Sequence, residues 1–125
     1  MGNLISPTYD KTHAVTVTLT APVAARRFVS YAAAPATSAG GAADARGVSE
    51  TEGVAGEAIS VITGFSAIVE ASAAIAVGAF VKPATDGSGK AAVGASGETC
   101  GRALSAALAA GDCIEVELYR HVHSG

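Results

Sequence analysis

Ala14-Val15-Thr16-Val17-Thr18-Leu19-Thr20 is the stretch of sequence that decides the fold class. Val15, Val17 and Leu19 alternate with threonines, so an extended chain places the large apolar side chains on one face and the hydroxyls on the other. β-Branched residues favour strands, and Pro22 closes the run. The segment therefore predicts a β-strand with one buried face.

Short runs of β-branched residues separated by glycine turns continue this pattern along the chain. A second strand is predicted at Arg26–Tyr31. From Gly47 onward, turn signals recur about every eight to twelve residues, which is typical of a sandwich or small barrel. The predicted fold class is therefore all-β, a small β-sandwich or β-barrel. The further strands are predicted at Glu57–Thr63, Phe65–Glu70, Ala79–Lys82, Ala91–Val93, Arg102–Leu104 and Cys113–Tyr119.

Alanine-rich segments are the main argument for helices instead. Ser66–Val77 and Ala103–Ala110 contain good helix formers, but neither has an apolar stripe at helical spacing. A third such segment, residues 32–46, is interrupted by Pro35 and Gly40-Gly41. It predicts a long surface loop, rich in alanine and glycine from Ala32 to Ala45.

One turn motif occurs three times, each time directly before a predicted strand. It consists of a small residue and a glycine, followed twice by an acid, in Ala55-Gly56-Glu57, Val77-Gly78-Ala79 and Ala110-Gly111-Asp112. Glycine permits the backbone angles of such turns, and an acid can accept hydrogen bonds from nearby amides. Asp86-Gly87 is a further turn signal that predicts a tight hairpin. These motifs indicate strand entry and not an active site.

The composition predicts a folded domain with a thin core. Alanine supplies 29 of the 125 residues, whereas Val, Ile, Leu and Phe together supply 27. That share of large apolar residues is close to the lower limit for globular chains. The net charge of −3 and the mean hydropathy of +0.40 nevertheless argue against disorder. Some of the buried area is therefore expected to come from neighbouring subunits.

The chain is predicted to divide into three parts. Residues 1–13 form an N-terminal arm without a core of its own. Residues 14–120 form a single β domain, and residues 121–125 form a flexible C-terminal tail. The arm's large apolar side chains and its proline are Leu4, Ile5, Pro7 and Tyr9.

Several classes of partner are excluded by the composition. An uninterrupted run of about 20 apolar residues is absent, so no membrane span is predicted, and the N-terminus has no secretory signal pattern. Scattered basic residues, a pI near 5.5 and the lack of Trp argue against nucleic-acid binding. The first 49 residues carry a charge of +2 and the remainder −5. This asymmetry either orients docking on an acidic surface or has no role.

Cys100 and Cys113 are predicted not to form a disulfide. In the expected antiparallel pairing Leu104 lies near Cys113, and Cys100 lies near Glu117. The two cysteines are then about 13 Å apart, whereas a disulfide needs Cα atoms within about 7 Å. The prediction is two free, mainly buried thiols in a reducing cytoplasm.

Two features centred on Lys90 resemble functional motifs. Gly87-Ser88-Gly89-Lys90 partly matches a dinucleotide fingerprint, but it lacks the preceding buried strand and following helix, and a hairpin tip is favoured. Lys90 could also be an attachment lysine of a carrier domain. Gly89 and Ala91 do not match the neighbours that such lysines have, so an exposed turn lysine is favoured.

The sequence contains no convincing set of catalytic or metal-binding residues. His121 and His123 share one side of an extended segment, but two ligands near a chain end seldom make a metal site. Glu115 and Glu117 share a strand face and are interpreted as solvated residues of an edge strand. We therefore predict no enzyme activity, no cofactor and no metal.

The order of the glycine turns and strands resembles the small head-decoration, or capsid cement, proteins of tailed bacteriophages. The resemblance extends from Val15 to Leu118. Its pieces are Val15-Thr16-Val17-Thr18-Leu19-Thr20-Ala21-Pro22, Gly47-Val48-Ser49, Gly53 to Val61, Gly64-Phe65, Ile75 to Val81, the Asp86-Gly87 hairpin, Gly101 to Leu104, and Ala110 to Leu118.

This resemblance implies a structural virion protein that decorates and stabilises an icosahedral capsid from its outer surface. The implied partners are the major capsid protein and further copies of the chain, most often in a homotrimer and in some members in a dimer. The resemblance also implies assembly in the host cytoplasm. The arm is suited to add a strand to a neighbouring sheet or to lie in a groove.

Candidate contact residues come from the arm and from one departure from the family. Many members have a glycine-rich turn where this chain has Arg26-Arg27. The candidates for capsid or partner contact are Leu4, Ile5, Pro7, Tyr9, Arg26 and Arg27. The alternative function is a glycan-binding or adhesive β-module, for which Tyr31 and Tyr119 are the aromatic candidates.

Overall fold

The computed structural model describes residues 14–38, 45–94 and 98–122, with side chains up to Leu118. This part of the chain contains nine strands and no helix, which confirms the all-β prediction and rules out the helical alternative for Ser66–Val77 and Ala103–Ala110. The strands are β1 (Ala14–Thr18), β2 (Phe28–Ser30), β3 (Ala45–Ser49), β4 (Ala58–Ile62), β5 (Ser66–Glu70), β6 (Phe80–Pro83), β7 (Ala91–Val93), β8 (Thr99–Ala103) and β9 (Cys113–Val122).

The strands form two antiparallel sheets that are consecutive in the chain. The first sheet has the order β1-β4-β3-β2, and the second has the order β5-β9-β8-β6-β7. One sheet curls into a half-barrel, consistent with the predicted sandwich or barrel. In the first sheet Val17 is opposite Ile59, and in the second Ala67 is opposite Val116. Alternating apolar residues therefore share one face of each sheet.

The two sheets share one topology. If β1, β2, β3 and β4 are matched with β5, β6, β8 and β9, both sheets read in the same order, with β7 added at the edge of the second. β7 forms the hairpin with β6 that Asp86-Gly87 predicts, since Pro83 pairs with Ala91. Residues 14–62 and 66–122 are thus two versions of one four-stranded motif.

A corner that joins two strands occurs four times and reinforces this duplication. Four residues after each of Leu19, Ser49, Ala71 and Ala103 comes a residue in an isolated β-bridge, and a tight turn and the next strand follow. The bridges pair the corners two by two, as Val23↔Gly53 and Ile75↔Ala107. The residue in the left-handed region of each turn is Arg26 (φ 61°), Gly56 (φ 90°), Gly78 (φ 84°) or Gly111 (φ 94°).

The same pair of hydrogen bonds holds every corner. The N–H of Gly56 donates to the carbonyl of Leu19, whose own N–H donates to the carbonyl of Glu57, both at 2.8 Å. Arg26, Ser49 and Arg27 make the equivalent pair, both at 2.9 Å. In the other two corners the N–H of Gly78 donates to the carbonyl of Ala103 at 2.7 Å, and the N–H of Gly111 donates to that of Ala71 at 2.9 Å. Three of the four turns are those that the repeated glycine motif predicts.

Two apolar clusters stabilise the sheets. The larger joins Phe28, Val48 and Ile62 of the first sheet to Val81, Ile114, Val116 and other residues of the second. The smaller lies on the opposite face of the first sheet and contains Val17, Leu19, Val23, Val29, Ala33, Ile59 and Val61. β2 and most of β3 are therefore buried on both faces, whereas Thr16 and Thr18 of β1 are exposed. This arrangement lets few large side chains cover much backbone.

Close strand contacts explain two glycines inside strands. A Cβ on Gly47 would lie 2.3 Å from the carbonyl oxygen of Ile62, and one on Gly101 would lie 2.3 Å from that of Glu117. Gly47 and Gly101 hold matching places in β3 and β8. Only glycine therefore fits at this matching position of the two sheets.

The segment from 32 to 46 differs from the predicted surface loop. Ala36 is fully buried, its N–H donates to the carbonyl of Phe28 at 2.9 Å, and Pro35 forms a bridge with Val29. Ala45 begins β3, a strand that the sequence patterns did not predict because Gly47 interrupts its apolar alternation. The segment therefore folds back onto the first sheet at these residues.

The predicted pairing of the last two strands was wrong by two residues. Arg102 is opposite Glu117, and the N–H of Leu104 donates to the carbonyl of Glu115. A register irregularity between Thr99 and Gly101 adds to the shift. β8 ends at Ala103 and β9 begins at Cys113, so the connection is one residue longer than predicted and contains the corner of Ala107.

Two further predictions are corrected by this pairing. Both thiols are free as predicted, but only Cys100 is buried, whereas Cys113 is exposed. β9 lies between β5 and β8 and extends to Val122, so Glu115 and Glu117 are not on an edge strand. Glu115 Oε2 instead accepts a hydrogen bond of 2.7 Å from Ser66 Oγ.

Candidate functional site

Arg26 is the exposed member of the predicted arginine pair, and its backbone conformation is unusual. It occupies the left-handed position that glycine occupies in the other three corners. A side chain there costs about 1–2 kcal/mol. Among the residues that the structure describes, no partner of its guanidinium is found, so the charge is available to another molecule.

Ser49 shapes the Arg26 turn in a way that the other corners lack. Glu57 closes its turn by donating directly to the carbonyl of Val54 at 3.0 Å. In the Arg26 turn the corresponding groups are the N–H of Arg27 and the carbonyl of Ala24, and the buried hydroxyl of Ser49 lies between them. It accepts from the N–H of Arg27 at 3.1 Å and donates to the carbonyl of Ala24 at 2.7 Å. The turn is therefore widened by one side-chain oxygen.

Arg27 lies beside Arg26 but points into a network that joins the two sheets. Its Nη2 contacts Glu70 Oε1 at 3.0 Å, and its Nη1 donates to the carbonyl of Ser88 at 3.0 Å. Lys90 Nζ lies 3.5 Å from Glu70 Oε2. Lys90 thus lies in the predicted hairpin, but it is half-buried and ion-paired and not the exposed lysine that was predicted.

Electrostatics in this network favour the charged carboxylate of Glu70. Partial burial opposes ionisation, but the hydrogen bond from Arg27 and the charges of Arg27 and Lys90 outweigh it. The pKa of Glu70 is consequently lowered from its usual 4.5. The N–H of Glu70 also donates to the carbonyl of Arg26 at 2.9 Å. The cluster therefore fixes the Arg26 turn from the side of the second sheet.

A groove of about 240 Å³ lies beside the Arg26 turn, at the junction of the two sheets. Apolar and charged side chains line it together, which is the mixture that protein-binding grooves present. The lining residues are Arg26, Ser49, Glu50, Ile62 and Ile68.

Of the other candidate residues, only Tyr31 has a described side chain. The arm candidates Leu4, Ile5, Pro7 and Tyr9 lie outside the described residues. Tyr31 is exposed, and the Arg46 guanidinium carbon lies 6.0 Å from its ring centroid. Tyr119 belongs to β9, and its side chain is not described.

Chemistry-bearing groups do not cluster in the part of the chain that is described. No group of three or more potential metal ligands is found there. The Asp86 carboxylate accepts from the N–H of Ser88 at 2.9 Å. Its hydrogen bonds from Ser88 lower the pKa of Asp86. Gly87 and Gly89 have positive φ, as a hairpin tip requires. The glycine-rich segment Gly87-Ser88-Gly89-Lys90 therefore forms the turn of the β6–β7 hairpin. Within the same residues no helix could span a membrane.

Comparison with known proteins identifies the family. A family model described as phage cement protein matches residues 8–118. The chain belongs to the phage cement protein family. This confirms the resemblance seen in the order of turns and strands. The protein is accordingly a structural component of a phage capsid.

One solved structure shows the same fold as this cement protein. It is the head fiber gp8.5 N base in bacteriophage phi29, with a TM-score of 0.62 and 19% sequence identity. The match covers 87% of this chain and 95% of that chain. None of the curated proteins matches the sequence.

Proposed function

We propose that this cement protein decorates the outer surface of an icosahedral capsid and stabilises it by binding the major capsid protein. We further propose that it does so as a homotrimer on the virion exterior, after assembly in the host cytoplasm. Membership of the family supports the general role. A ligand that binds only the assembled lattice stabilises it by about 2.7 kcal/mol per site at 100 times its Kd.

The observation that carries the proposal is the exposed Arg26 in a strained conformation. Strain of this kind clusters at functional sites, and of the non-glycine residues with positive φ in the described part of the chain, Arg26, Ala33 and Phe65, only Arg26 is charged. Arg27, Ser49 and Glu70 hold the turn from three directions, so the guanidinium starts from a fixed backbone. Arginine binds carboxylates through two parallel hydrogen bonds. We therefore expect Arg26 to pair with an acidic residue of the capsid protein.

The arm supplies the second proposed contact. Leu4, Ile5, Pro7 and Tyr9 give it apolar groups suited to a groove or sheet edge of the capsid protein. Three arms acting together would raise the avidity well above that of one arm. Arg27, held by Glu70, supports the neighbouring Arg26 in this scheme.

Binding to empty expanded heads, measured by co-sedimentation, tests both contacts. Deleting residues 2–13 should abolish binding while the remaining chain keeps its circular dichroism spectrum. Arg26→Gly should lower affinity at least tenfold, because it removes the charge and leaves the turn intact. Arg26→Lys should retain part of the binding.

Arg46→Ala is the matched control, since it removes an exposed cation from β3 in the same sheet. Its affinity should stay within twofold of the unaltered protein. Unchanged occupancy of heads by both the deletion and Arg26→Gly would refute the proposed contacts. Absence of binding by the intact chain would refute the function.

A further inference from the structure

The corner formed by Ile75 and Ala107 carries an exposed apolar surface that the capsid contacts proposed above do not use. Leu108 is 86% exposed, Val77 65% and Leu104 47%. Ala74, Ala76 and Ala106 are exposed as well and line one groove together with Leu108. We call these six residues the alanine-rich end. A shallow groove of about 300 Å³ runs along it.

The first sheet has the corresponding corner, and its surface is different. The groove there, about 490 Å³, is lined by Pro22, Val23, Ala24, Glu52, Gly53, Val54 and Glu57. Glu52 and Glu57 are exposed and make that surface acidic. The groove of the alanine-rich end has no ionisable lining residue, because Ala106 holds the place of Glu52 and Asp112, the counterpart of Glu57, lies at its border. Since the backbone is the same in both corners, the fold does not require the apolar residues of the second.

Two ionisable side chains border the alanine-rich end, and they carry opposite charges. Arg102 Nε donates to the carbonyl of Gly78 at 2.9 Å, and Asp112 Oδ2 accepts from the N–H of Leu108 at 2.8 Å. The bridge between Ile75 and Ala107 is antiparallel, so the two turns leave it in opposite directions. The positive border and the negative border therefore lie on opposite sides of the apolar residues.

This charge distribution fits a second copy of the same chain. Copies related by rotation can place the Arg102 border of one beside the Asp112 border of the next, with apolar residues between them. We propose that the alanine-rich end is the surface through which copies of this chain pack against one another, with Leu108 as the central contact. In the homotrimer proposed above, this surface would face the threefold axis.

Light scattering on a sizing column, at about 10–100 µM chain, tests the inference in the absence of capsid. The unaltered protein should elute as a multiple of 12.1 kDa. Leu108→Lys combined with Val77→Lys should elute as the single chain, a threefold loss of mass for a trimer. Val54→Lys is the matched control, because Val54 is 56% exposed in the corresponding corner. It should keep the mass of the unaltered protein.

Cross-linking gives a second readout that does not depend on the lysine variants folding. Leu108→Cys in a Cys113→Ser background should form a disulfide between copies on mild oxidation, and Val54→Cys in the same background should not. A single-chain mass for the unaltered protein, an unchanged mass for the double lysine variant, or the absence of Leu108→Cys cross-links would each overturn the inference. A chain that self-associates but does not bind heads would leave the inference standing and refute the proposed function.

Discussion

Arg26 donates its N–H to the carbonyl of Ser49 as Gly56 donates its own to the carbonyl of Leu19, with a φ of 61° where the glycine has 90°. The two residues hold matching positions in corners joined by the bridge between Val23 and Gly53. Only one of them has a side chain in this left-handed region. The comparison inside one molecule therefore isolates the arginine as an addition to a turn that glycine forms without strain.

Replacing Arg26 by glycine should stabilise the protein. Glycine relieves a backbone cost of about 1–2 kcal/mol, and its greater freedom in the unfolded chain offsets about 0.5–1 kcal/mol of that gain. We expect the free energy of unfolding to rise by about 0.5–1 kcal/mol. Denaturation with urea at neutral pH measures the change.

The reverse substitution, Gly56→Ala, is the control for this prediction. A Cβ at Gly56 meets nothing within 4 Å, so only the backbone conformation is altered. The free energy of unfolding should fall by about 1 kcal/mol. A loss of stability in Arg26→Gly, beside the expected loss in Gly56→Ala, would show that the arginine side chain stabilises the fold.

Ser49→Ala should destabilise the Arg26 corner. The N–H of Arg27 and the carbonyl of Ala24 would each lose the hydroxyl between them. A buried polar group left without a partner costs about 1–3 kcal/mol. We expect a loss of about 2 kcal/mol in urea denaturation. Ser72→Ala is a suitable comparison, because its hydroxyl donates to the carbonyl of Ala91, which also accepts from the Ser72 N–H and so keeps a partner. It should cost less than half as much.

Glu70→Gln should weaken the fold in a pH-dependent manner. Because the pKa of Glu70 is lowered in the native protein, its carboxylate stabilises the fold above the usual pKa of 4.5. That contribution is lost as the pH falls through the native pKa. At pH 7 the variant should be about 1 kcal/mol less stable, and the difference from the unaltered protein should disappear in acid.

Thermal unfolding of both proteins at a series of pH values measures this difference. Glu52→Gln is the matched control, because Glu52 is exposed and has no partner among the described residues. Its stability should follow that of the unaltered protein at every pH. A constant difference between Glu70→Gln and the unaltered protein from neutral to acidic pH would contradict the proposed ion-pair contribution.

The two thiols should differ strongly in reactivity. Cys113 is exposed, whereas Cys100 is buried and its pKa is raised by desolvation. Since the thiolate is the reactive form, an aromatic disulfide reagent should modify one thiol per chain quickly. The second should react only after unfolding. Cys113→Ser should remove the rapid phase, and rapid modification in that variant would place Cys100 at the surface.

Local chemistry made the all-β class and most strands predictable. The strand signals depend only on residues close together in the chain. They are the apolar alternation around Val15 and Val17 and the glycines that precede Ala58 and Cys113. The hairpin at Asp86-Gly87 is equally local. The order of these signals also carried the family resemblance. β3 was missed because Gly47, which the close approach of Ile62 requires, breaks its apolar pattern.

Contacts between distant residues decided the rest. The family resemblance singled out Arg26-Arg27 in the sequence, but that these residues form a corner like the three glycine corners became visible only from the contacts of Ser49 with Ala24 and Arg27. The same holds for the pairing of Arg102 with Glu117 and for the exposure of Cys113. Sequence patterns determine which way a side chain alternates along its own strand. Which strands lie side by side, and at what offset, depends on hydrogen bonds and packing across tens of residues, and only the tertiary structure specifies them.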